Sequence, residues 1–197
     1  MKFKLFDTEI YISFLFFAVI TIMLATDKTG YMLPSLFAIF LHELGHLFMM
    51  WVVECAPKRI KLIPASVQIS MSMSKCYRND ILIALSGPAV NMVLFFTLYF
   101  NYLVYKKEAV LIYALLNLVI GLFNLMPVKG LDGGTVLFCL LAKNLDINKA
   151  TLIMKLITLI LAISIIVVAV ILTLRHKLNI SLYILGIYLI IMTLIKI

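Results

Sequence analysis

Apolar residues occupy the chain in long runs that are separated by short polar segments. Each run approaches the 17–25 residues that a helix needs to cross the hydrocarbon of a bilayer. The pattern predicts an all-α polytopic membrane protein with about six transmembrane helices. The runs lie at roughly 8–26, 31–53, 80–105, 109–126, 150–174 and 178–195.

The segment between the second and third runs has a different period. Residues 67–74 alternate apolar and polar side chains, which is typical of a half-buried strand and not of a helix. Residues 59–63 are its expected partner across a turn at 64–66. This predicts a small membrane-associated β-hairpin, whose free edge could accept an extended peptide by strand addition. The alternative is an amphipathic loop that rests on the membrane surface.

Composition supports a membrane domain and gives little room for anything else. The chain is 64% hydrophobic and only 13% charged, whereas soluble domains have roughly 25% charged residues. The apolar runs use most of the 197 residues. We therefore expect a single membrane-embedded domain over 1–197, without a soluble regulatory domain.

The net charge of +8 does not indicate nucleic-acid binding, because the basic residues are spread among loops without a stripe of stacking aromatics. Their distribution instead indicates which loops face the cytoplasm. With six spans and a cytoplasmic N-terminus, twelve of the seventeen Lys and Arg residues fall on or near the inner side. The positive-inside rule favours this arrangement, so both termini are expected in the cytoplasm. The five outer residues are Lys28, Lys106, Lys107, Arg175 and Lys177.

The second run contains His42-Glu43-Leu44-Gly45-His46, an H-E-x-x-H motif. Two histidines four positions apart lie on one helical face and can bind one Zn²⁺, while the adjacent glutamate can act as general base. Ionisable groups inside a membrane span are costly and are candidates for function. The alternative is a pair of interior histidines that are hydrogen-bonded to neighbouring helices.

A catalytic zinc ion usually has three protein ligands, so a third ligand must come from elsewhere. Asp132 follows an apolar run and lies in a segment with one proline and three glycines, Pro127 to Gly134, which would break a helix and let a short side chain turn inward. Its alternative role is the N-cap of a helix at about 133–142. The other candidates, on the wrong side or with capping or loop roles, are His176, Glu54, Asp80, Glu108 and Asp146.

Three motifs together resemble the site-2 protease family of intramembrane zinc metalloproteases, and most closely its compact bacterial branch, which includes the sporulation-factor-processing enzymes. They span the region that is the catalytic core in that family, about 31–143 here. The motifs are His42-Glu43-Leu44-Gly45-His46, Ser86-Gly87-Pro88-Ala89-Val90-Asn91, and Asn124-Leu125-Met126-Pro127 leading to Leu131-Asp132-Gly133-Gly134.

The resemblance implies a role for each matching polar residue. Zn²⁺ would be bound by His42, His46 and Asp132. Glu43 would be the general base, and Asn124 would donate to the scissile carbonyl or its oxyanion.

The other matching residues have a supporting role, and one position departs from the family. Gly87, Pro88 and Asn91 would serve packing at the start of the third span. The departure is Lys129-Gly130, where relatives often carry a second proline. Neither the nucleotide-sensing domain of some sporulation relatives nor a PDZ insertion is expected.

The resemblance therefore implies an intramembrane zinc metalloendopeptidase that cuts a substrate protein in or near a transmembrane or membrane-associated segment. Its expected partners are that substrate, the lipid bilayer and a regulatory membrane protein, and its expected location is a bacterial cell membrane or forespore-type membrane. One alternative is a catalytically silent homologue that binds membrane proteins, although the chain retains the side chains of His42, Glu43, His46 and Asp132. Another is a metal transporter, which commonly has repeated halves, and no second half echoes the H-E-x-x-H run.

Overall fold

The computed structural model describes residues 2–5, 8–55, 57–63, 66–71, 77–175 and 180–194. Within these ranges the chain forms four strands and seven helices. In chain order they are β1 (Lys2–Leu5), β2 (Thr8–Ile12), α1 (Phe14–Thr26), α2 (Met32–Val52), β3 (Pro57–Ile63), β4 (Ser66–Met71), α3 (Tyr77–Tyr105), α4 (Glu108–Asn124), α5 (Asp132–Ala142), α6 (Ile147–Leu174) and α7 (Ile180–Leu194).

Three helices, α2, α3 and α6, are long and apolar enough to cross a membrane in the described part of the chain. The chain is therefore an integral membrane protein, but the expectation of six transmembrane helices is wrong. The first apolar run is divided, because Thr8–Ile12 is a strand and only Phe14–Thr26 is helical. Helices α1 and α4 have 13 and 17 residues, or roughly 20 and 25 Å, against a hydrocarbon thickness of about 30 Å.

The expectation of an all-α chain with one isolated hairpin is also wrong. The four strands form one sheet in the order β1-β2-β3-β4. Strands β3 and β4 pair antiparallel, but β3 also pairs in parallel with β2, with Glu9 opposite Arg59. Both edges of β3 are thus occupied, and the outer strands of the sheet are β1 and β4. Strand addition by a substrate stays a prediction.

The Cα positions group the chain into two compact units, Met1–Phe123 and Asn124–Ile197. In the first unit, α2 packs closely on α3. Gly45 allows this approach, because a Cβ atom at its position would lie only 2.9 Å from the Ser86 carbonyl oxygen. The second unit has a core of Val128, Ala162 and Leu189. A single functional domain over the whole chain stays a prediction.

The turn between α1 and α2 is organised by Asp27. Its Oδ1 accepts hydrogen bonds from the Thr29 hydroxyl at 2.6 Å and from the Thr29 amide at 2.9 Å. Its Oδ2 accepts from the Met32 amide at 2.9 Å. The Thr29 hydroxyl, followed by the Met32 and Thr29 amides, lowers the pKa of Asp27 from 3.8 to about 2. The ionised carboxylate therefore stabilises this turn.

Acidification is expected to loosen this turn. The folded-state pKa of Asp27 is below the unfolded value, so its contribution is complete above about 3.8 and is lost as the pH falls toward about 2. Hydrogen-exchange protection of the Thr29 and Met32 amides, corrected for intrinsic rates, should fall severalfold between pH 5 and pH 2. Asp27→Asn should already show reduced protection at pH 5, whereas the neighbouring Lys28→Ala should not. Equal protection at both pH values in the wild type would contradict this assignment.

Candidate metal centre

The two histidines of the motif lie on the buried face of α2, which packs against α3. The opposite face exposes large apolar side chains, among them Phe48 and Trp51. The helical period places both imidazoles in the buried stripe. The buried residues of this helix are Ala38, His42, Gly45, His46 and Met50.

A backbone carbonyl orients His46. The Nδ1 atom lies 2.7 Å from the carbonyl oxygen of Ile83 in α3, and this oxygen also accepts from the Ser86 hydroxyl at 2.6 Å. A carbonyl oxygen can only accept, so Nδ1 of His46 must carry the proton. In the neutral ring the lone pair is then on Nε2.

A side-chain amide orients His42. The Nδ1 atom lies 2.6 Å from Oδ1 of Asn91, another residue of α3. When Nδ1 donates to that oxygen, the Nε2 atom of His42 also presents a lone pair. Second-shell partners of this kind fix the tautomer and ring orientation of metal-binding histidines.

The two Nε2 atoms face each other at a separation of 3.2 Å. Two lone pairs at this distance repel each other unless a cation lies between them. In a tetrahedral zinc site with Zn–N bonds of roughly 2.0–2.1 Å, two nitrogen ligands lie about 3.3 Å apart. The donor atoms of His42 and His46 therefore fit two positions of such a site.

Gly87 provides the space beside these nitrogens. A Cβ atom on this residue would collide with the imidazole of His46 and would lie 2.8 Å from Nε2 of His42. The absence of a side chain at this position in α3 is therefore a requirement of the histidine pair and not only of helix packing.

In the second unit, Asp132 is the first residue of α5, and the extended residue Leu131 occupies the N-cap position. Asp132 is therefore not the N-cap residue of this helix, which was its alternative predicted role. Asp132 is half-buried. It starts the helix directly after the loop 125–131, so the conformation of this loop sets where its carboxylate lies.

The loop that precedes Asp132 is held by its backbone. The Lys129 amide donates to the Thr158 hydroxyl of α6 at 3.1 Å, and Gly130 adopts a φ of 94°, which favours glycine. A Cβ atom on Gly133 or on Gly134 would overlap with a backbone carbonyl of this loop. The Lys129-Gly130 pair thus holds the loop through a hydrogen bond and a positive φ.

Within the first unit, His42 and His46 present nitrogen ligands that could hold a metal ion. Asp132, in the second unit, stays the predicted third ligand. Glu43 is half-buried on α2, about 60° around the helix from His46. Asn124 is half-buried and is the last residue of α4.

The remaining acidic candidates have other positions. Glu54 follows α2 with a positive φ of 55°, and Asp80 lies in the first turn of α3. Glu108 begins α4. Asp146 is the N-cap residue of α6 and pairs with Lys149 at 3.6 Å. His176 lies outside the described residues.

Sequence reasoning missed the contact between Asn91 and His42, since it assigned Asn91 to packing alone. The available signal was an amide in the middle of a long apolar run, where burial is costly unless the amide is hydrogen-bonded. That signal does not identify the partner, which is 49 positions away in the chain.

Comparison with known proteins supports the zinc assignment. No protein-family profile matches the chain. It is 28% identical over 153 residues to a zinc metalloprotease of Methanocaldococcus jannaschii, and the matched region covers 73% of this chain and 45% of that protein. It is 29% identical over 129 residues to stage IV sporulation protein FB of Bacillus subtilis, and the matched region covers 62% of this chain and 45% of that protein. The chain thus spans about half the length of the curated relatives it matches.

The fold is similar to that of a solved site-2 protease from Methanocaldococcus jannaschii. The TM-score is 0.71 with 22% identity, and the match covers 98% of this chain and 93% of that chain. These matches support the expected resemblance to the site-2 protease family, and the histidine and carboxylate side chains of this chain suit the zinc ion that one relative's name includes.

Gly87→Ala should weaken metal binding. The added methyl group would occupy the space beside both Nε2 atoms, so we expect zinc affinity to fall at least tenfold, the loss typical of a disturbed ligand environment. Zinc retained by the purified protein against a chelator measures this. Ala89→Val is the control, because it adds bulk at an exposed position of the same helix. Wild-type affinity in Gly87→Ala would contradict the proposed position of the metal.

Proposed function

We propose that this chain is a member of the site-2 protease family, to which its relatives and fold point, and that it is an intramembrane zinc metalloendopeptidase. It hydrolyses a peptide bond in or near a transmembrane or membrane-associated segment of a substrate protein. The observation that carries the proposal is the separation of 3.2 Å between the Nε2 atoms of His42 and His46, on a helix apolar enough to cross a membrane.

In this proposal His42, His46 and Asp132 hold the zinc ion. They offer two imidazole nitrogens and one carboxylate oxygen, a donor set that suits a catalytic zinc with one open position. Bound zinc supplies Lewis-acid activation of water and of the scissile carbonyl.

Glu43 and Asn124 carry the remaining steps. The carboxylate of Glu43 takes a proton from the attacking water as the water oxygen bonds to the carbonyl carbon. Glu43 then gives this proton to the amine nitrogen as the C–N bond breaks. The side-chain amide of Asn124 donates to the carbonyl oxygen while negative charge develops on it.

The surroundings of the histidines support a membrane-protein substrate. Buried positions of α2 hold the ligands, and its other face exposes Phe37, Phe48 and Trp51, which suit contact with lipid. A peptide that reaches the histidines of α2 through the membrane must itself be apolar. Its backbone must also be unwound before a carbonyl is accessible, because helical carbonyls are hydrogen-bonded within the helix. A regulatory membrane protein is a further proposed partner.

We also propose that the C-terminal end of α2 faces the cytoplasm and that the protein resides in a bacterial cell or forespore-type membrane. The segment after α2 contains Lys58, Arg59 and Lys61, whereas the turn before it contains Lys28 alone. The positive-inside rule therefore favours a cytoplasmic C-terminal end of α2. The relation to a sporulation protein of Bacillus subtilis supports the proposed membrane.

The experiment compares zinc content and cleavage of a transmembrane substrate by purified wild type, Glu43→Gln and Asp132→Ala. We expect one zinc ion in the wild type and in Glu43→Gln, and a tenfold or greater loss of zinc affinity in Asp132→Ala. Cleavage should occur in the wild type and fall at least a hundredfold in Glu43→Gln, in the range of a lost general base. Glu54→Gln, the same change at an exposed site after α2, should cleave like the wild type.

Two results would contradict the proposal. One is a wild-type protein without zinc after incubation with the metal. The other is zinc flux into liposomes without cleavage of any substrate, which would favour a transporter.

A further inference from the structure

We infer that Asn91 and Asn117 are positioning residues that fix His42 in its metal-binding tautomer. The inference rests on the proposed function, because it takes Nε2 of His42 to be a zinc ligand. It concerns three side chains of the first unit, on α2, α3 and α4, that form one chain of hydrogen bonds.

The chain of hydrogen bonds is continuous from His42 to a backbone carbonyl. Nδ1 of His42 lies 2.6 Å from Oδ1 of Asn91. Nδ2 of Asn91 donates to Oδ1 of Asn117 at 3.2 Å. Nδ2 of Asn117 donates to the carbonyl oxygen of Tyr113 at 2.9 Å. Each amide thus accepts on one side and donates on the other.

The last carbonyl gives the chain its direction. The Tyr113 oxygen can only accept, so Asn117 must present its NH₂ group to it and its oxygen to Asn91. Asn91 must then present its NH₂ group to Asn117 and its oxygen to His42. His42 can satisfy this oxygen only by donating from Nδ1, which leaves the lone pair on Nε2.

Burial makes the reversed arrangement costly. Asn91 is fully buried and Asn117 is 6% exposed, so water cannot replace a lost partner. Reversing the amides would place two oxygens against each other at Tyr113, and an unsatisfied buried acceptor is unfavourable. The close approach of α3 and α4 is allowed by Gly121, on which a Cβ atom would lie 3.2 Å from Cβ of Asn91.

The two histidines therefore differ in what orients them. His46 is held by the backbone carbonyl of Ile83, which no side-chain substitution removes. His42 depends on two side chains, and Asn117 acts on it only through Asn91. Zinc affinity should consequently depend on Asn117, although the hydrogen bonds described for this residue are to Asn91 and to the Tyr113 carbonyl.

The test measures zinc affinity of the full-length protein by competition with a chromophoric chelator, together with the visible absorption of the Co²⁺-loaded protein and its helicity. The variants are Asn91→Leu, Asn91→Asp, Asn117→Leu and the double variant with leucine at both positions. Asn101→Leu is the matched control, because it makes the same change on an exposed position of α3.

We expect Asn91→Leu to weaken zinc binding 10- to 100-fold, the usual effect of losing a second-shell partner, and to alter the Co²⁺ spectrum. Asn117→Leu should weaken binding severalfold. The double variant should bind no more weakly than Asn91→Leu, because Asn117 acts through Asn91. Asn91→Asp should bind better than Asn91→Leu, since a carboxylate accepts from Nδ1, whereas a packing role predicts the opposite order.

Wild-type affinity in Asn91→Leu, additive losses in the double variant, or weaker binding by Asn91→Asp than by Asn91→Leu would each overturn the inference. These results are distinct from failure of the proposed function, in which the wild type would also bind no zinc. Measured helicity equal to that of Asn101→Leu shows that a variant is folded. If Asn91→Leu lacks this helicity, the comparison of Asn117→Leu with the wild type decides the matter, since unchanged affinity there contradicts a directed chain.

Discussion

The main constraint on the region where α2 packs on α3 is the pair of imidazole rings of His42 and His46. Their Nε2 lone pairs are held 3.2 Å apart in apolar surroundings, where they repel each other. Water cannot reach these buried nitrogens freely, and neither nitrogen can donate to the other while both Nδ1 atoms donate elsewhere. A cation between the rings removes the repulsion. The separation and direction of the two Nε2 atoms therefore suit two ligands of one metal ion.

The packing of α2 on α3 follows from that requirement. Gly45 leaves room for the backbone of α3 at Ser86, and Gly87 leaves room for the imidazole rings of His42 and His46. The Ile83 carbonyl and Asn91 then reach across from α3 to the two Nδ1 atoms. Helix packing and ligand direction are consequently set by a few residues of α2 and α3, and the tautomer of His42 also depends on Asn117 of α4.

Sequence was most informative where the relevant physics is local. The spacing of His42 and His46 fixes their common helical face, and Asp132 could be singled out because proline and glycine interrupt the run around it. Hydropathy overestimated the number of spans because it measures the length of an apolar run and not where a helix begins. Residues 8–12 were included in the first apolar run, yet they form a strand.

The missing parts depend on contacts between distant segments. The parallel pairing of Glu9 with Arg59 has no local signal, so the sequence could indicate two strands but not the sheet of four. The same holds for the bond between Asn91 and His42, and for the direction that the Tyr113 carbonyl imposes through Asn117. Alternation and spacing identify elements, whereas partners require the fold.

Zinc K-edge X-ray absorption on the purified, zinc-loaded protein would identify the atoms bound to the metal. Two histidine ligands and one carboxylate ligand predict a first shell of nitrogen and oxygen only, at roughly 2.0–2.1 Å, with the outer-shell scattering of two imidazole rings. A sulfur shell at about 2.3 Å, or a spectrum without imidazole scattering, would contradict it.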